Sequence, residues 1–145
     1  MKPPAPPADP LAMRLVRSAW RSLRGALQAQ RSSALEHAHH GAVWLTVKVA
    51  KLEHAKAVAR LGARFVPDLD VQTARILFDE LRPVGTCLSR SLTIAARLPG
   101  AEVAFGFDPA RAPNFRPHAW VVVAGEALVA SDACPTTLTT VRVAA

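Results

Sequence analysis

The spacing of apolar residues changes once along the chain, and this change constrains the fold more than any other feature. Up to Arg97, apolar residues recur every three or four positions, as on one face of a helix. From Val103 onward they alternate with other residues, as in strands that bury one face. Helices followed by antiparallel strands predict an α+β fold.

Capping and turn residues set the expected boundaries of these elements. The sequence predicts helices over Leu11–Gln30, about 34–61, Val71–Leu81 and Cys87–Arg97. Ser32 or Ser33 is the expected cap of the second helix, Asp70 of the third and Thr86 of the fourth. The expected strands are Val103–Phe107, Ala119–Val123, Leu128–Ser131 and Leu138–Val143, with a hairpin turn at Ala124-Gly125-Glu126.

Composition and charge divide the chain into three regions. Residues 1–10 are a proline-rich stretch, expected to be a flexible tail. Residues 11–66 form a basic helical region: residues 1–67 hold eleven Lys and Arg but three acidic residues. Residues 67–145 form the expected core domain.

The arginines of Leu11–Gln30 predict a solvated helix face, and contact with a membrane surface or an acidic partner stays open. Nucleic acid is not an expected partner, because no groove-reading motif accompanies the charge.

Several classes of protein are excluded at this stage. Half of the residues are hydrophobic, which excludes a disordered chain. No apolar run approaches the roughly 20 residues that a transmembrane helix needs. Prolines follow Met1-Lys2 where a signal peptide would have an apolar segment, and two cysteines do not make a disulfide scaffold. We therefore expect a cytoplasmic protein, peripheral to the membrane if the basic helix binds it.

One set of residues has the order of a nucleophile, a base and an orienting group. Cys87 follows Gly85-Thr86 at the start of a predicted helix, where unpaired N–H groups favour a thiolate and can hold an oxyanion. His118 begins a predicted strand and is the candidate base. Asp132, on the returning strand, is the candidate group that orients the imidazole. The expected role of Trp120 is to shield the imidazole from water.

Each of these residues also has a simpler interpretation. Cys87 is compatible with a small buried filler, His118 with a structural residue and Asp132 with a turn residue. Glu126 is the alternative to Asp132 if the strand register differs. The cluster of His37, His39, His40 and His54 suggests a metal site, but a solvated or helix-packing cluster is the favoured interpretation, because Cys87 and Cys134 are far away in sequence. No metal or organic cofactor is expected, and a structural role is favoured for Arg90.

The segments G-T-C-L-S-R-S-L, E-V-A-F-G-F-D-P and P-H-A-W-V-V-V-A-G together resemble the B2 proteins of lasso peptide biosynthesis. The motif C-L-x-R-[SA]-L of that family falls on residues 87–92, its G-[VF] strand on Gly106-Phe107, and its H-A-W-V-E-V on residues 118–123. The resemblance covers about Val71 to Asp132. Val122 replaces the usual glutamate, and the loop R-L-P-G after the nucleophile helix is shorter than usual.

This resemblance implies a transglutaminase-like, papain-related cysteine peptidase, in which a nucleophile helix packs on a small antiparallel sheet. Such a peptidase removes the leader from a ribosomally made precursor, so that a partner cyclase can close a macrolactam. Residues 1–70 do not show the strands of the leader-binding winged-helix module found in fused members. We therefore expect a stand-alone peptidase, to which a separate recognition protein delivers the precursor at its leader–core junction.

Two other functions remain open from the sequence. A thioester formed on Cys87 could be resolved by an amine instead of water, which would make the protein a transglutaminase-like acyl transferase. Alternatively, the basic helices could make it a partner-docking module without catalytic activity. An alanine at position 87 or 118 would have favoured docking, but both positions keep the reactive residue.

Overall fold

The computed structural model describes residues 10–107, 117–128 and 136–144. Its helices are α1 (Pro10–Val49), α2 (Leu52–Ala63), α3 (Val71–Glu80) and α4 (Cys87–Ala95), with a 3₁₀ turn at Arg82–Val84. Its strands are β1 (Ala101–Phe107), β2 (His118–Val123), β3 (Glu126–Ala127) and β4 (Thr136–Arg142). The predicted α+β class is confirmed.

The chain divides into two compact units, Met1–Ala34 and Leu35–Ala145. The second unit carries α2, α3, α4 and the sheet, and it also includes the part of α1 from Leu35 onward. It therefore contains helical residues that the sequence analysis assigned to the basic region 11–66. Within the described residues, no helix has an apolar stretch that could cross a membrane.

The predicted boundary between the first two helices is wrong. The structure assigns helix through Ser32 and Ser33 and ends α1 at Val49. Arg31, Ser32 and Ser33 include neither proline nor glycine, so nothing in them forces a helix to end. Lys51 instead takes an extended conformation (φ −74°, ψ 158°) as the residue before α2. The β-branched residues of Thr46–Val49 lower helix propensity just before this break.

The two other predicted helix caps are confirmed. The Asp70 carboxylate accepts a hydrogen bond from the Thr73 amide at 2.8 Å and begins α3. The Thr86 hydroxyl accepts one from the Ser89 amide at 3.2 Å and begins α4. Ser89 returns the interaction, because its Oγ accepts from the Thr86 amide at 3.1 Å. This reciprocal pair is a capping box, and it satisfies two amides that the helix itself leaves unpaired.

The four strands form one antiparallel sheet in the order β3-β2-β1-β4. The first three strands form a meander, whereas β4 pairs with β1 at the other side of the sheet, as in a Greek key. Ala124 and Gly125 connect β2 to β3 with positive φ angles of 51° and 83°, as a type I′ hairpin turn requires. The expected third strand, Leu128–Ser131, is wrong at its start: the structure has a two-residue strand at Glu126–Ala127, and Leu128 follows it as a bend. Residues 129–131 lie outside the described residues.

The hydrophobic core lies on one face of the sheet. Strand residues of this core include Ala101 and Val103 of β1 and Ala119 and Val121 of β2. The helices supply the rest, including Val43, Ala55, Ala59, Leu77, Phe78, Leu92 and Ile94. Helix α4 packs against β2 and β1, so it forms the layer that lies directly on the sheet.

A buried arginine connects α1 to the residues around α4. The Arg97 side chain is fully buried, and its NH2 group contacts a carboxylate oxygen of Glu36 at 3.1 Å. Its Nε donates to the carbonyl of Pro67 at 3.0 Å, and its own carbonyl accepts from the Leu69 amide at 2.9 Å. One side chain thus holds the segment before α3 and the second unit's part of α1.

Candidate active site

Cys87 is the first residue of α4, as predicted. The capping box formed by Thr86 and Ser89 engages the amides of Thr86 and Ser89. The amides of Cys87 and Leu88 belong to the first turn, where a helix provides no acceptor of its own. Amides in this position can hold the oxyanion of a tetrahedral intermediate formed at Sγ.

The Cys87 side chain is half-buried at the margin of the hydrophobic core and is a free thiol. Arg90 lies one turn further along α4 and is close enough for the two groups to interact electrostatically. Burial lowers the pKa of Arg90, whereas the charge of Cys87 raises the pKa of Arg90.

The contacts of Arg90 agree with the structural role favoured from the sequence. Its NH1 group donates to the carbonyl of Phe78 at 3.2 Å. Its guanidinium also lies 4.4 Å from the centre of the Phe78 ring, within the range of a cation–π interaction. Arg90 therefore attaches α4 to α3.

His118 is exposed and is the first residue of β2, paired with Gly106 of β1. Its ring centre is 6.3 Å from that of Trp120, at an interplanar angle of 42°. The Trp120 side chain is buried and neighbours the imidazole, which is itself exposed, so the shielding expected from the sequence stays a prediction. Because strand residues alternate, His118 and Trp120 share one face of β2 while Ala119 and Val121 face the core.

The structure brings the elements that carry Cys87 and His118 side by side, because α4 packs against β2. Cys87, however, packs at the helical side of the sheet, and strand alternation does not direct His118 into that layer. The imidazole can therefore reach the thiol only by passing around the end of the sheet at which β2 begins. His118 is exposed at this open end, which leaves its ring accessible from that direction.

The third predicted residue, Asp132, lies outside the described residues, as does Cys134. Its alternative, Glu126, is described and pairs with Val123 at the far end of β2. Val123 is five positions along the strand from His118, which corresponds to about 16 Å. A carboxylate in this position is too far away to orient the His118 ring, so the geometry rules out the Glu126 alternative.

Two of the four clustered histidines, His39 and His40, pack between helices, whereas His37 and His54 are exposed. The side chains of His39 and His40 are both buried. His39 Nε2 lies 2.9 Å from the carbonyl of Ala59 on α2, and His40 Nε2 lies 3.1 Å from Ser89 Oγ on α4. Within the described part of the chain, no three His, Cys, Asp or Glu side chains form a group suited to a metal ion.

The contact between His40 and Ser89 could not be predicted from the sequence. The two residues are 49 positions apart. The pattern G-T-C-x-S identifies a capped helix start, but nothing in it indicates that a histidine from α1 reaches the cap. Gly85 carries the one relevant signal, because a glycine directly before a cap leaves room for a close neighbour.

A surface hollow is lined by Gly100, Glu102, Val122 and Arg142, among other residues. It lies at the end of the sheet where β1 begins and β2 ends, away from His118. Arg142 and Glu102 form an exposed ion pair there, with 3.0 Å between Nε and Oε1. This hollow therefore does not belong to the candidate site.

The burial of His40 predicts a pH-dependent stability. Burial, followed by the charges of Arg90, His39 and His37, lowers the pKa of His40 to about 4. An unfolded histidine titrates near 6.5, so between these values the unfolded chain binds a proton that the folded chain does not. The free energy of unfolding should fall by about 3 kcal/mol as the pH drops from about 6.5 to 4.

Urea unfolding at a series of pH values measures this effect. His40→Gln should reduce the slope between pH 6.5 and 4, because glutamine does not titrate there. His54→Gln, which changes an exposed histidine of α2, should leave the slope unchanged. Equal slopes for His40→Gln and the unaltered protein would contradict the assignment.

Comparisons with protein families, with curated proteins and with solved structures find no match to this chain.

Proposed function

We propose that the protein is a cysteine peptidase that removes the leader from a lasso peptide precursor. The observation that carries this proposal is the position of Cys87 at the capped start of α4, a helix that packs against the strand beginning with His118. The resemblance of residues 85–97 and 117–125 to the leader peptidases supplies the substrate class. The α+β architecture, with α4 on an antiparallel sheet, is compatible with a transglutaminase-like core.

The proposed reaction proceeds through a thioester. His118 accepts the proton of the Cys87 thiol, and Sγ attacks the scissile carbonyl carbon. Amides at the start of α4 stabilise the oxyanion. The C–N bond then breaks, and the imidazolium gives its proton to the leaving amine of the core peptide. Water, deprotonated by His118, hydrolyses the thioester and releases the leader with a free carboxylate.

Asp132 is the proposed orienting residue for His118. Two features of the described sheet support it. Thr137 of β4 pairs with Gly106, which pairs on its other side with His118. The chain therefore enters β4 at the His118 end of the sheet, four residues after Asp132. A carboxylate that accepts from the imidazole fixes its tautomer and stabilises the imidazolium.

The proposed partners follow from the substrate. The precursor peptide binds at its leader–core junction, a separate winged-helix protein delivers the leader, and a cyclase uses the released core amine. Among the described side chains of the N-terminal unit, Arg21 and Arg24 are exposed, and the Arg24 guanidinium lies 6.0 Å from the Trp20 ring centre. This mixed basic and aromatic surface suits an acidic partner or a membrane surface in the cytoplasm.

Alkylation of Cys87 tests the nucleophile–base pair without a substrate. Iodoacetamide reacts with thiolate, so peptide mass spectrometry between pH 5 and 9 reports how readily each thiol ionises. We expect Cys87 to react about tenfold faster than Cys134 at pH 6. His118→Ala should abolish most of this difference, because the thiol loses its proton acceptor.

The control is His54→Ala, which removes an exposed histidine of α2 and should leave the rate unchanged. A Cys87 that reacts no faster than Cys134, both alone and with the recognition protein and precursor present, contradicts the proposed function. In that case the docking module is the better description of the protein.

A further inference from the structure

A buried hydrogen-bond network links α1 to the start of the nucleophile helix. His40 and Ser89 are almost completely buried, with 1% and 0% of their surfaces exposed. His40 Nε2 lies 3.1 Å from Ser89 Oγ, and Ser89 is one half of the capping box that begins α4. The network therefore includes Thr86, one residue before Cys87, and Ser89, two residues after it.

The hydrogen bonds of Ser89 determine what His40 does in this network. Ser89 Oγ accepts from the Thr86 amide and donates to the Thr86 carbonyl, each at 3.1 Å. A hydroxyl has one proton and two lone pairs, so one lone pair is left to accept with. Two groups can reach it, and His40 Nε2 at 3.1 Å is nearer than the Thr86 hydroxyl at 3.4 Å. His40 therefore donates from Nε2–H, and the neutral tautomer that carries this proton completes the network.

The backbone before Cys87 lies directly against the same imidazole. A Cβ atom on Gly85 would lie 2.5 Å from both Cε1 and Nε2 of His40 and 2.7 Å from Ser89 Oγ. Gly85 has an extended conformation (φ −150°), so it is needed for space and not for its backbone angles. His40 thus contacts the turn at Gly85 sterically and the helix cap through Ser89.

We propose that His40 is a positioning residue for Cys87. Through Ser89 and Thr86 it fixes the first turn of α4, and with it the direction of the amides and of Sγ. The positioning itself follows from the contacts, whereas its importance for peptide cleavage rests on the proposed function. His40 does not contact the reacting atoms in this proposal and is not the base.

His39 provides a matched control. It is the neighbouring residue, is also buried, and also forms one hydrogen bond through Nε2, but its partner is the carbonyl of Ala59 on α2. His39→Leu and His40→Leu therefore remove the same chemical group from the same region of α1. Only His40→Leu should disturb the turn that carries Cys87.

The experiment compares His40→Leu, His40→Gln and His39→Leu by two measurements. Amide hydrogen exchange at Thr86 and Ser89 reports the order of the helix start, and alkylation at pH 7 reports the reactivity of Cys87. In His40→Leu, loss of one buried hydrogen bond should speed exchange about tenfold and slow alkylation by a similar factor. His40→Gln retains a donor and should recover most of both values, and His39→Leu should change neither.

Gly85→Ala is a second variant that keeps both histidines. Its methyl group displaces the His40 ring, so it should reproduce the effects of His40→Leu even if that variant folds poorly. The positioning proposal is overturned if His39→Leu and His40→Leu change exchange at Thr86 and Ser89 equally, or if Gly85→Ala changes neither measurement.

Cleavage assays separate this proposal from the proposed function. If the unaltered protein does not cleave the precursor but His40→Leu still speeds exchange selectively, the positioning role stands and the peptidase assignment falls. If the protein cleaves the precursor and His40→Leu keeps both its kcat and the exchange rates at Thr86 and Ser89, the positioning role falls and the peptidase assignment stands. A fall in kcat with little change in KM supports both.

Discussion

Replacing Cys87 by alanine is expected to abolish precursor cleavage, with a loss of at least about 10³-fold in kcat. The thiol forms the covalent bond in the proposed reaction, so no remaining group can replace it. The substitution should leave the fold intact, because Cys87 is half-buried and the Thr86–Ser89 capping box does not involve its side chain. Mass spectrometry of the precursor, incubated with the recognition protein, measures the released leader.

Cys134→Ala is the matched control, since it removes the other cysteine and should keep full cleavage. A thioester between Cys87 and the leader, trapped at low pH and lost in Cys87→Ala, would identify the intermediate directly. Adding a primary amine distinguishes the two possible fates of this thioester, because an acyl transferase would yield a leader amide. Cleavage by Cys87→Ala at the rate of the unaltered protein would refute the mechanism.

Replacing Glu36 by alanine should destabilise the protein by about 3 kcal/mol. The Arg97 side chain is fully buried, whereas Glu36 is 24% exposed, so the arginine depends on this carboxylate more than the reverse. Without it, the guanidinium keeps the Pro67 carbonyl, and its NH1 atom already lacks a hydrogen-bond partner. A buried charge left without its counter-ion costs more than the pair contributes.

Urea unfolding at pH 7 measures this effect, and a second ion pair provides the control. Glu53 pairs with Lys56 at 3.2 Å, but its side chain is 74% exposed, so Glu53→Ala should cost less than about 1 kcal/mol. Combining Glu36→Ala with Arg97→Met should recover part of the lost stability, because no unpaired charge remains. Equal losses for Glu36→Ala and Glu53→Ala would show that Arg97 does not need its partner.

Several parts of the fold that depend on neighbouring residues were predictable from the sequence, although the helix cap expected at Ser32 or Ser33 is wrong. The caps at Asp70 and Thr86 depend on contacts three residues away, and both are confirmed. The hairpin at Ala124-Gly125 likewise depends on local turn chemistry. For the candidate site, the position of Cys87 on its helix and of His118 at the start of its strand follow from the same kind of signal.

The parts that depend on distant residues were not predictable. Thr137 pairs with Gly106 on the side of β1 away from β2, and spacing along the chain does not select that side. Arg97 meets Glu36 across 61 positions, and His40 meets Ser89 across 49. In the last two cases, a polar residue on a predicted helix is buried next to a partner that the spacing of residues along the sequence does not identify. Tertiary packing decides these contacts.

The strand order has a consequence for when the sheet is completed during synthesis. Strand β1 lies between β2 and β4, and β4 is formed by Thr136–Arg142, more than thirty residues later in the chain. Until the ribosome has made and released those residues, β1 has only one neighbour, and pairing between distant segments is slow to form. The end of the sheet that carries His118 is therefore completed only after β4 has been made. Under the proposed function, a nascent chain that displays Cys87 without β4 does not yet cleave the precursor.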